Sequence, residues 1–223
     1  MTMQTTSLVE FYFDPISPYA WLASRQFHRL ESSGAQLDFR PVLLAGLLAA
    51  HGQKGPAEIP AKRAYTMRDV RRIAGGLGLS VAGPPTHPYN PLRALRMCIA
   101  LEDAADRRRL GLALLDACWS RGLELSDETV LIALARDCGF DGPALVARAG
   151  AADVKRRLIE ATESAVAMGI FGVPTFRFDG ELFWGEDRID ALVRRLRGQT
   201  IDESLLARIL ARPASAVRKQ EQT

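Results

Sequence analysis

The sequence predicts an α/β fold whose sheet is assembled from both ends of the chain. Two observations lead to this prediction. Strand-like patterns occur only near the N-terminus and again near the C-terminus, and the region from about Pro60 to Met168 has a helical period throughout. The 223 residues, of which 48% are hydrophobic, are sufficient for one sizeable core with a subdomain.

The N-terminal elements form a β-α-β unit. Leu8–Phe13 and Leu37–Val42 have the apolar alternation of strands, and Pro18–Ser33 between them has a helical pattern. Gly34 is suited to ending that helix, because glycine adopts the left-handed conformation that follows many helices. A unit of this length predicts parallel strands joined by a right-handed crossover.

The central region is predicted to be an all-α insertion without an internal repeat. Leu43–His51 already has a helical pattern, and two later helix starts are marked by Ser126-Asp127 and Asp141-Gly142-Pro143. The predicted helices of the insertion are Ala61–Leu77, Asn90–Asp103, Arg107–Arg121, Asp127–Cys138, Gly142–Ala149 and Ala151–Met168.

The strand signal returns near the C-terminus. Thr175–Phe178 and Glu181–Trp184 flank Asp179-Gly180, which is typical of a tight hairpin turn. A helix is predicted over Asp187–Arg197, and the polar tail from Pro213 to Thr223 is expected to be loosely held.

Neither end of the chain can bury its strands alone, so we expect them to pair across the insertion. The result is a thioredoxin-like fold interrupted by a large all-α insertion. The predicted boundaries are 1–45 plus 169–223 for the thioredoxin-like domain and 46–168 for the helical domain.

Composition argues against several classes of protein. The net charge of +3 is small, and Arg107-Arg108-Arg109 has no aromatic neighbours, so nucleic-acid binding is not expected. No apolar run has the length of a membrane span, and Met1–Ser7 lacks the features of a signal peptide, so we expect a cytoplasmic protein. Cys98, Cys118 and Cys138 form no CxxC pair; buried thiols are expected, with no disulfide framework and no metal site.

Ser17 is the leading candidate for a functional residue. Pro18 suits the first position of a helix, which places Ser17 at the N-cap, where unpaired backbone N–H groups favour an anion. Our interpretation is that this anion is a thiolate. The alternative from this segment alone is an ordinary serine N-cap with no further role.

Five separated motifs resemble the disulfide-oxidoreductase A (DsbA-like) superfamily. Within it, the chain is most similar to 2-hydroxychromene-2-carboxylate isomerases and kappa-class glutathione transferases from about Leu8 to Arg197. The motifs are Phe13-Asp14-Pro15-Ile16-Ser17-Pro18-Tyr19, Pro60-Ala61-Lys62-Arg63-Ala64-Tyr65 with Asp69, Asn90-Pro91-Leu92-Arg93-Ala94-Leu95-Arg96, Phe171-Gly172-Val173-Pro174-Thr175 and Trp184-Gly185-Glu186-Asp187-Arg188.

The resemblance implies a thiol site without a protein sulfur. Redox members carry Cys-x-x-Cys where this chain has Ser17-Pro18-Tyr19-Ala20, and disulfide exchange requires those thiols. Ser17 is instead expected to donate a hydrogen bond to the thiolate of bound glutathione. The histidines form no triad-like signature, so Ser17 is not expected to be the nucleophile itself.

The resemblance also implies the rest of the binding site. A cis Val173-Pro174 bond would present Val173 to the cysteinyl part of glutathione. The residues implied for glutathione are Ser17, Gln53, Lys62, Val173, Pro174, Trp184, Gly185, Glu186 and Asp187, and those implied for the second substrate are Tyr19 and Asn90. Several have ordinary alternatives: a lone lysine is usually solvated, acidic residues favour a first helical turn, and Asn90 is a credible helix cap.

Two glutathione-dependent activities follow from the resemblance. The first is a cis–trans isomerase of the 2-hydroxychromene-2-carboxylate type, acting on an aromatic-degradation intermediate and forming a homodimer. The alternatives are a kappa-type transferase and a non-catalytic thiol-peptide-binding module. Many relatives have a lysine near the position of Leu48–His51, and its absence here leaves the small aromatic substrate open.

Overall fold

The computed structural model describes residues 6–213, and its centre is a four-stranded mixed sheet. The strands are β1 (Ser7–Phe13), β2 (Ala35–Pro41), β3 (Thr175–Phe178) and β4 (Glu181–Trp184), in the order β2-β1-β3-β4. β1 runs parallel to β2 and antiparallel to β3, which pairs with β4 as a hairpin. The predicted pairing of the two chain ends is therefore confirmed.

The helices account for most of the remaining chain. They are α1 (Pro18–Ser24), α2 (Phe27–Glu31), α3 (Leu44–Ala50), α4 (Pro60–Gly76), α5 (Leu92–Ala100), α6 (Ala104–Trp119), α7 (Glu128–Asp137), α8 (Gly142–Ala149), α9 (Ala152–Ala167), α10 (Ile189–Leu196) and α11 (Glu203–Leu210). Short 3₁₀ turns precede α4 and α10. No helix within residues 6–213 is long and apolar enough to cross a membrane.

An aromatic cluster ties the sheet to its first helices. Phe11 of β1 lies opposite Phe39 of β2 and Phe176 of β3, and Phe27 of α2 packs edge-on against Phe11 with ring centroids 4.9 Å apart. All four rings are buried. Alternation along β1 therefore directs one face of the sheet into the main core.

The helical region packs directly on the sheet through Gly111 in α6. A Cβ at Gly111 would lie 2.8 Å from the Phe39 ring, closer than Cβ atoms approach other atoms in proteins, and 3.0 Å from the Phe13 ring. The absence of a side chain lets α6 lie against β1 and β2, so one core spans both predicted domains. The division at residues 46 and 168 remains a prediction.

The single helix predicted over Pro18–Ser33 is wrong. The chain breaks between α1 and α2, where Gln26 adopts φ −112° and ψ 5°. Ser24 Oγ donates to Trp21 O at 2.7 Å, and such bonding by a serine competes with regular helical pairing. The break directs Phe27 into the aromatic cluster.

Other helix bounds also differ from prediction. Asp103 was assigned to the end of one helix, but its carboxylate caps α6 by accepting from Asp106 N–H at 2.9 Å, so α5 stops at Ala100. The helix predicted from Asp187 opens with the 3₁₀ turn Glu186–Arg188. α11 was not predicted, and the tail beyond Pro213 lies outside the described residues.

The predicted turns and thiols agree with the structure. Gly34 has φ +87°, Asp179 and Gly180 both have positive φ, and Cys98, Cys118 and Cys138 are free and buried. No group of three metal-ligating side chains occurs in the part of the chain that the structure describes.

Candidate glutathione site

Ser17 is the N-cap of α1, as the sequence predicts. Its backbone is extended, Pro18 holds the first helical position, and its hydroxyl oxygen accepts from Ala20 N–H at 3.3 Å. Only 5% of the residue is exposed. Ser17 is therefore an ordinary helix cap, and this bond alone gives it no further role.

The Ser17 hydroxyl also contacts the second half of the predicted site. It donates to Val173 O at 3.3 Å, and the Val173–Pro174 peptide is cis, as expected. The Gly185 N–H donates to Pro174 O at 2.9 Å, which attaches the end of β4 to the same segment. Three motifs that are far apart in the sequence thus meet at the cis-proline segment.

The loop that carries Ser17 is held by the helical region. Trp119 Nε1–H of α6 donates to Pro15 O at 2.9 Å, and His87 Nε2 lies 3.1 Å from Ile16 O, which requires the tautomer with a proton on Nε2. The two side chains contact each other edge to face at 5.3 Å. Burial lowers the pKa of His87, so the neutral ring is favoured.

Sequence reasoning did not predict these two contacts with Pro15 and Ile16. The histidines were considered only as possible members of a catalytic triad, and Trp119 was given no role. A buried tryptophan usually finds an acceptor for its N–H, which is a usable signal, but the identity of the acceptor depends on the tertiary fold.

Acidic side chains lie beside α1. Tyr19, expected to contact the second substrate, donates its hydroxyl to Asp69 Oδ2 of α4 at 2.9 Å. Glu186 accepts from Gln26 Nε2 at 3.2 Å. Burial raises the pKa of Glu186, and the negative charges of Asp187 and Asp69 raise it further, so these carboxylates lie in one electrostatic neighbourhood.

Trp184 and Gly185 form an exposed wall next to the cis peptide. Trp184 is 53% exposed and packs edge-on against Phe171 at 4.8 Å. A Cβ at Gly172 would lie 2.8 Å from the indole Nε1, so the close approach depends on glycine. Gly185 has φ +117°, a conformation that other residues rarely adopt.

The remaining predicted residues lie on exposed segments without a recorded contact to Ser17. Gln53 follows α3, and Lys62 is in the first turns of α4; neither side chain forms a hydrogen bond or ion pair within residues 6–213. Asn90 Oδ1 accepts from Leu92 N–H at 3.0 Å, so its role as a helix cap is realised. Roles for these three residues toward a ligand stay predictions.

Two cavities of about 370 and 360 Å³ lie elsewhere in the molecule. The first adjoins Tyr12, Arg40 and Arg157 on the sheet face opposite the aromatic cluster, and the second lies among α3, α5 and α9. Neither includes Ser17, so the site at Ser17 is defined by its polar groups.

These features define a class of protein: a thioredoxin-like fold with a serine where redox members carry a cysteine, facing a cis-proline peptide. The chain belongs to the DSBA-like thioredoxin domain family, whose model matches residues 8–197.

Two groups of enzymes are among the proteins similar to this chain. The chain is 27% identical over 190 residues to 2-hydroxychromene-2-carboxylate isomerase of Sphingobium xenophagum, covering 84% of this chain and 96% of the relative. It is 27% identical over 203 residues to glutathione S-transferase kappa 1 of Homo sapiens, covering 84% and 90%. A solved 2-hydroxychromene-2-carboxylate isomerase superposes with a TM-score of 0.77 at 25% identity, covering 91% and 96%.

Proposed function

We propose that this protein is a glutathione-dependent cis–trans isomerase of the 2-hydroxychromene-2-carboxylate type. The observation that carries the proposal is the contact of the Ser17 hydroxyl with Val173 O, which joins the helix start to the cis-proline segment. Isomerases and glutathione transferases among the relatives support a glutathione-related enzyme.

The proposed reaction borrows its reactive sulfur from glutathione. Its thiolate adds to the conjugated side chain of a ring-opened aromatic intermediate, which turns a double bond into a single bond and places negative charge on the substrate oxygen. Rotation follows, and expulsion of the thiolate restores the double bond in the trans form. Glutathione is regenerated, so the steps require no oxidant, reductant or added proton source.

The protein's part is to hold the thiolate and orient it. The Ser17 hydroxyl donates to the sulfur, which favours the ionised form at neutral pH. Val173 N–H and C=O pair with the cysteinyl backbone in the manner of an added strand. No cysteine is placed at residues 17 to 20, so this site does not carry out disulfide exchange.

The charged ends of the tripeptide suit charged side chains of two segments, the Glu186–Arg188 turn and α4. The carboxylates of Glu186 and Asp187 suit the cationic amine of the γ-glutamyl group, with Asp69 close by. Lys62, on the exposed N-terminal part of α4, suits the glycyl carboxylate. Gln53, Trp184 and Gly185 complete the proposed glutathione site, with Tyr19 and Asn90 toward the second substrate.

A kappa-type transferase is the second candidate, favoured by the equal identity to the human transferase. It uses the same thiolate on an electrophile whose leaving group departs, so glutathione is consumed. Turnover without net loss of glutathione supports the isomerase, and a stoichiometric conjugate supports the transferase. A module that only binds thiol peptides predicts no turnover of either kind.

Calorimetry tests the thiolate directly. Glutathione is titrated at pH 7 in buffers of different ionisation enthalpy, which counts the protons released on binding. The expected result is release of most of one proton per site by wild type, with little release for Ser17→Ala or for S-methylglutathione. Binding by wild type without proton release would overturn the proposal.

The cytoplasmic location and the homodimer belong to the same proposal. Cell fractionation tests the location, and sedimentation equilibrium tests the homodimer. A monomer at micromolar concentration would contradict the proposed homodimer.

A further inference from the structure

Asp14 is a buried carboxylate beside Ser17 that the proposed mechanism does not use. It follows the last residue of β1 and is completely inaccessible to solvent. Among the described residues, its recorded partners are two backbone N–H groups: Oδ1 accepts from Ile16 at 3.0 Å and Oδ2 from Leu44 at 3.0 Å.

Each of these bonds fixes a different segment. The bond from Ile16 N–H shapes the turn that Ser17 completes, since Ser17 N–H donates to Asp14 O at 3.0 Å. Leu44 is the first residue of α3, and its N–H has no partner within the helix. One carboxylate therefore holds the Ser17 loop and the start of α3 together.

We propose that Asp14 is the positioning residue of the Ser17 site: its ionised carboxylate fixes the Ser17 loop against α3, and loss of its charge loosens that arrangement. A protonated carboxyl carries hydrogen on one oxygen, so it accepts poorly from one of the two N–H groups. The catalytic consequence rests on the proposed function, whereas the structural consequence does not.

The surroundings of Asp14 supply no compensating cation in the described chain. The ionisable groups that face it are Tyr89, before α5, and Cys118 of α6. Burial raises the pKa of both groups, and the negative charge of Glu124 raises both pKa values further, so both groups stay neutral. Burial of Asp14 outweighs its two hydrogen bonds and raises its pKa to about 7. Both charge states are therefore populated near neutrality.

Two effects of the Asp14 charge oppose each other. A nearby negative charge disfavours a second anion, so ionised Asp14 alone would make the glutathione thiolate harder to form. The positioning effect acts in the other direction, because Ser17 meets the sulfur only when its loop is correctly held. Our inference requires positioning to be the larger effect.

Nuclear magnetic resonance of the wild type tests, without any ligand, whether the charge of Asp14 acts on both of its backbone partners. The amide shifts of Ile16 and Leu44 are followed from pH 5.5 to 8.5 in ¹⁵N-labelled protein. We expect both to titrate with one shared midpoint near pH 7, although they are far apart in the sequence. Amides that do not titrate, or that titrate with separate midpoints, would overturn the inference.

Kinetics test the catalytic half. The kcat/KM for 2-hydroxychromene-2-carboxylate, at saturating glutathione, is divided at each pH by the thiolate fraction of bound glutathione read from absorbance. For wild type this corrected rate should rise about tenfold between pH 6 and 8, as expected for one essential ionised group of pKa near 7. Asp14→Asn should give a low and flat profile.

The matched control is Asp141→Asn. Asp141 also accepts from a backbone N–H, that of Ala144 at 3.0 Å, but it caps α8 on the exposed surface. This variant should keep the wild-type profile. An Asp14→Asn enzyme that keeps the rise, or exceeds wild type, overturns the positioning role. Absence of turnover in wild type counts against the proposed function, and the amide titration then decides the role of Asp14.

Discussion

Ser17 has one hydroxyl proton, so its side chain can donate only one hydrogen bond at a time. In this structure that proton is directed at Val173 O, so donation to a thiolate requires the hydroxyl to rotate. The separation of 3.3 Å is longer than the usual 2.7–2.8 Å between hydroxyl and acceptor oxygens, so the bond being exchanged is a weak one. The carbonyl is then free to pair with an incoming peptide N–H.

The contribution of the Trp119–Pro15 hydrogen bond to stability can be isolated by comparing Trp119 with a second buried tryptophan, Trp21. Trp119 and Trp21 are equally buried, but Trp119 donates to Pro15 O and the Trp21 N–H has no partner in the described residues. Both Trp→Phe changes lose packing, and only Trp119→Phe leaves a carbonyl without its donor. Urea unfolding should show Trp119→Phe to be less stable than Trp21→Phe by about 1–2 kcal/mol. Equal losses of unfolding free energy in the two variants would argue against a stabilising Trp119–Pro15 hydrogen bond.

The Glu186 carboxylate is expected to recognise the γ-glutamyl amine. Glu186→Gln keeps the shape and removes the charge, so the dissociation constant for glutathione should rise roughly tenfold, in line with a charged hydrogen bond. Glu181→Gln is the control, since that carboxylate pairs with Arg195. N-acetylglutathione, which lacks the cationic amine, should bind wild type and Glu186→Gln alike; a tenfold difference with this ligand would contradict the assignment.

At the level of elements, the fold depends on the close approach of α6 to the sheet. Gly111→Ala would place a methyl group against the Phe39 and Phe13 rings, and overpacking of this kind costs about 1–3 kcal/mol. Gly75→Ala is the matched control, because Gly75 is also helical and a Cβ there meets nothing within 4 Å. Gly75→Ala should be neutral or stabilising by up to about 1 kcal/mol.

Thermal or urea denaturation of these two variants decides the point. If Gly111→Ala proves as stable as Gly75→Ala, α6 has room to move away from the sheet, and the continuous core described above is looser than the structure indicates.

Sequence alone predicted the elements whose signals are local. The hairpin at Asp179-Gly180 and the cap at Ser17 follow from turn chemistry and capping. The pairing of the two chain ends follows from the need of each end to bury its strands, but the neighbour of β1 in the sheet was not predicted. The break between α1 and α2 was missed because the apolar period of Trp21, Leu22, Phe27 and Leu30 continues through it.

The site was predictable only in part for the same reason. Ser17 and the Val173–Pro174 segment are marked by motifs, but their contact is a property of the folded chain. His87 and Trp119 contact backbone carbonyls of the Ser17 loop, and Asp14 contacts the backbone of Leu44 in α3. Such contacts between distant segments leave no residue pattern.

For the whole molecule, Asp14 links stability to pH. Its folded pKa of about 7 lies above the reference value of 3.8, so between these values the folded state holds the proton that the unfolded state has lost. Stability due to this group therefore falls as pH rises toward 7, by about 3 kcal/mol between pH 5 and 8. The ionised form that positions Ser17 is thus the less stable one.

Urea titrations of wild type and Asp14→Asn at several pH values isolate this effect from that of other carboxylates. The difference between their free energies of unfolding should change by about 3 kcal/mol between pH 5 and 8, in favour of wild type at pH 5. A difference that is constant with pH would show that Asp14 does not titrate as described.

The central claim is that Ser17 holds a borrowed thiolate, and the absorbance of bound glutathione near 240 nm against pH tests it most directly. In wild type the thiol should ionise well below the pKa of about 8.5 of a free thiol, and in Ser17→Ala its midpoint should return toward that value. A bound thiol with an unshifted pKa in the wild type would contradict the claim.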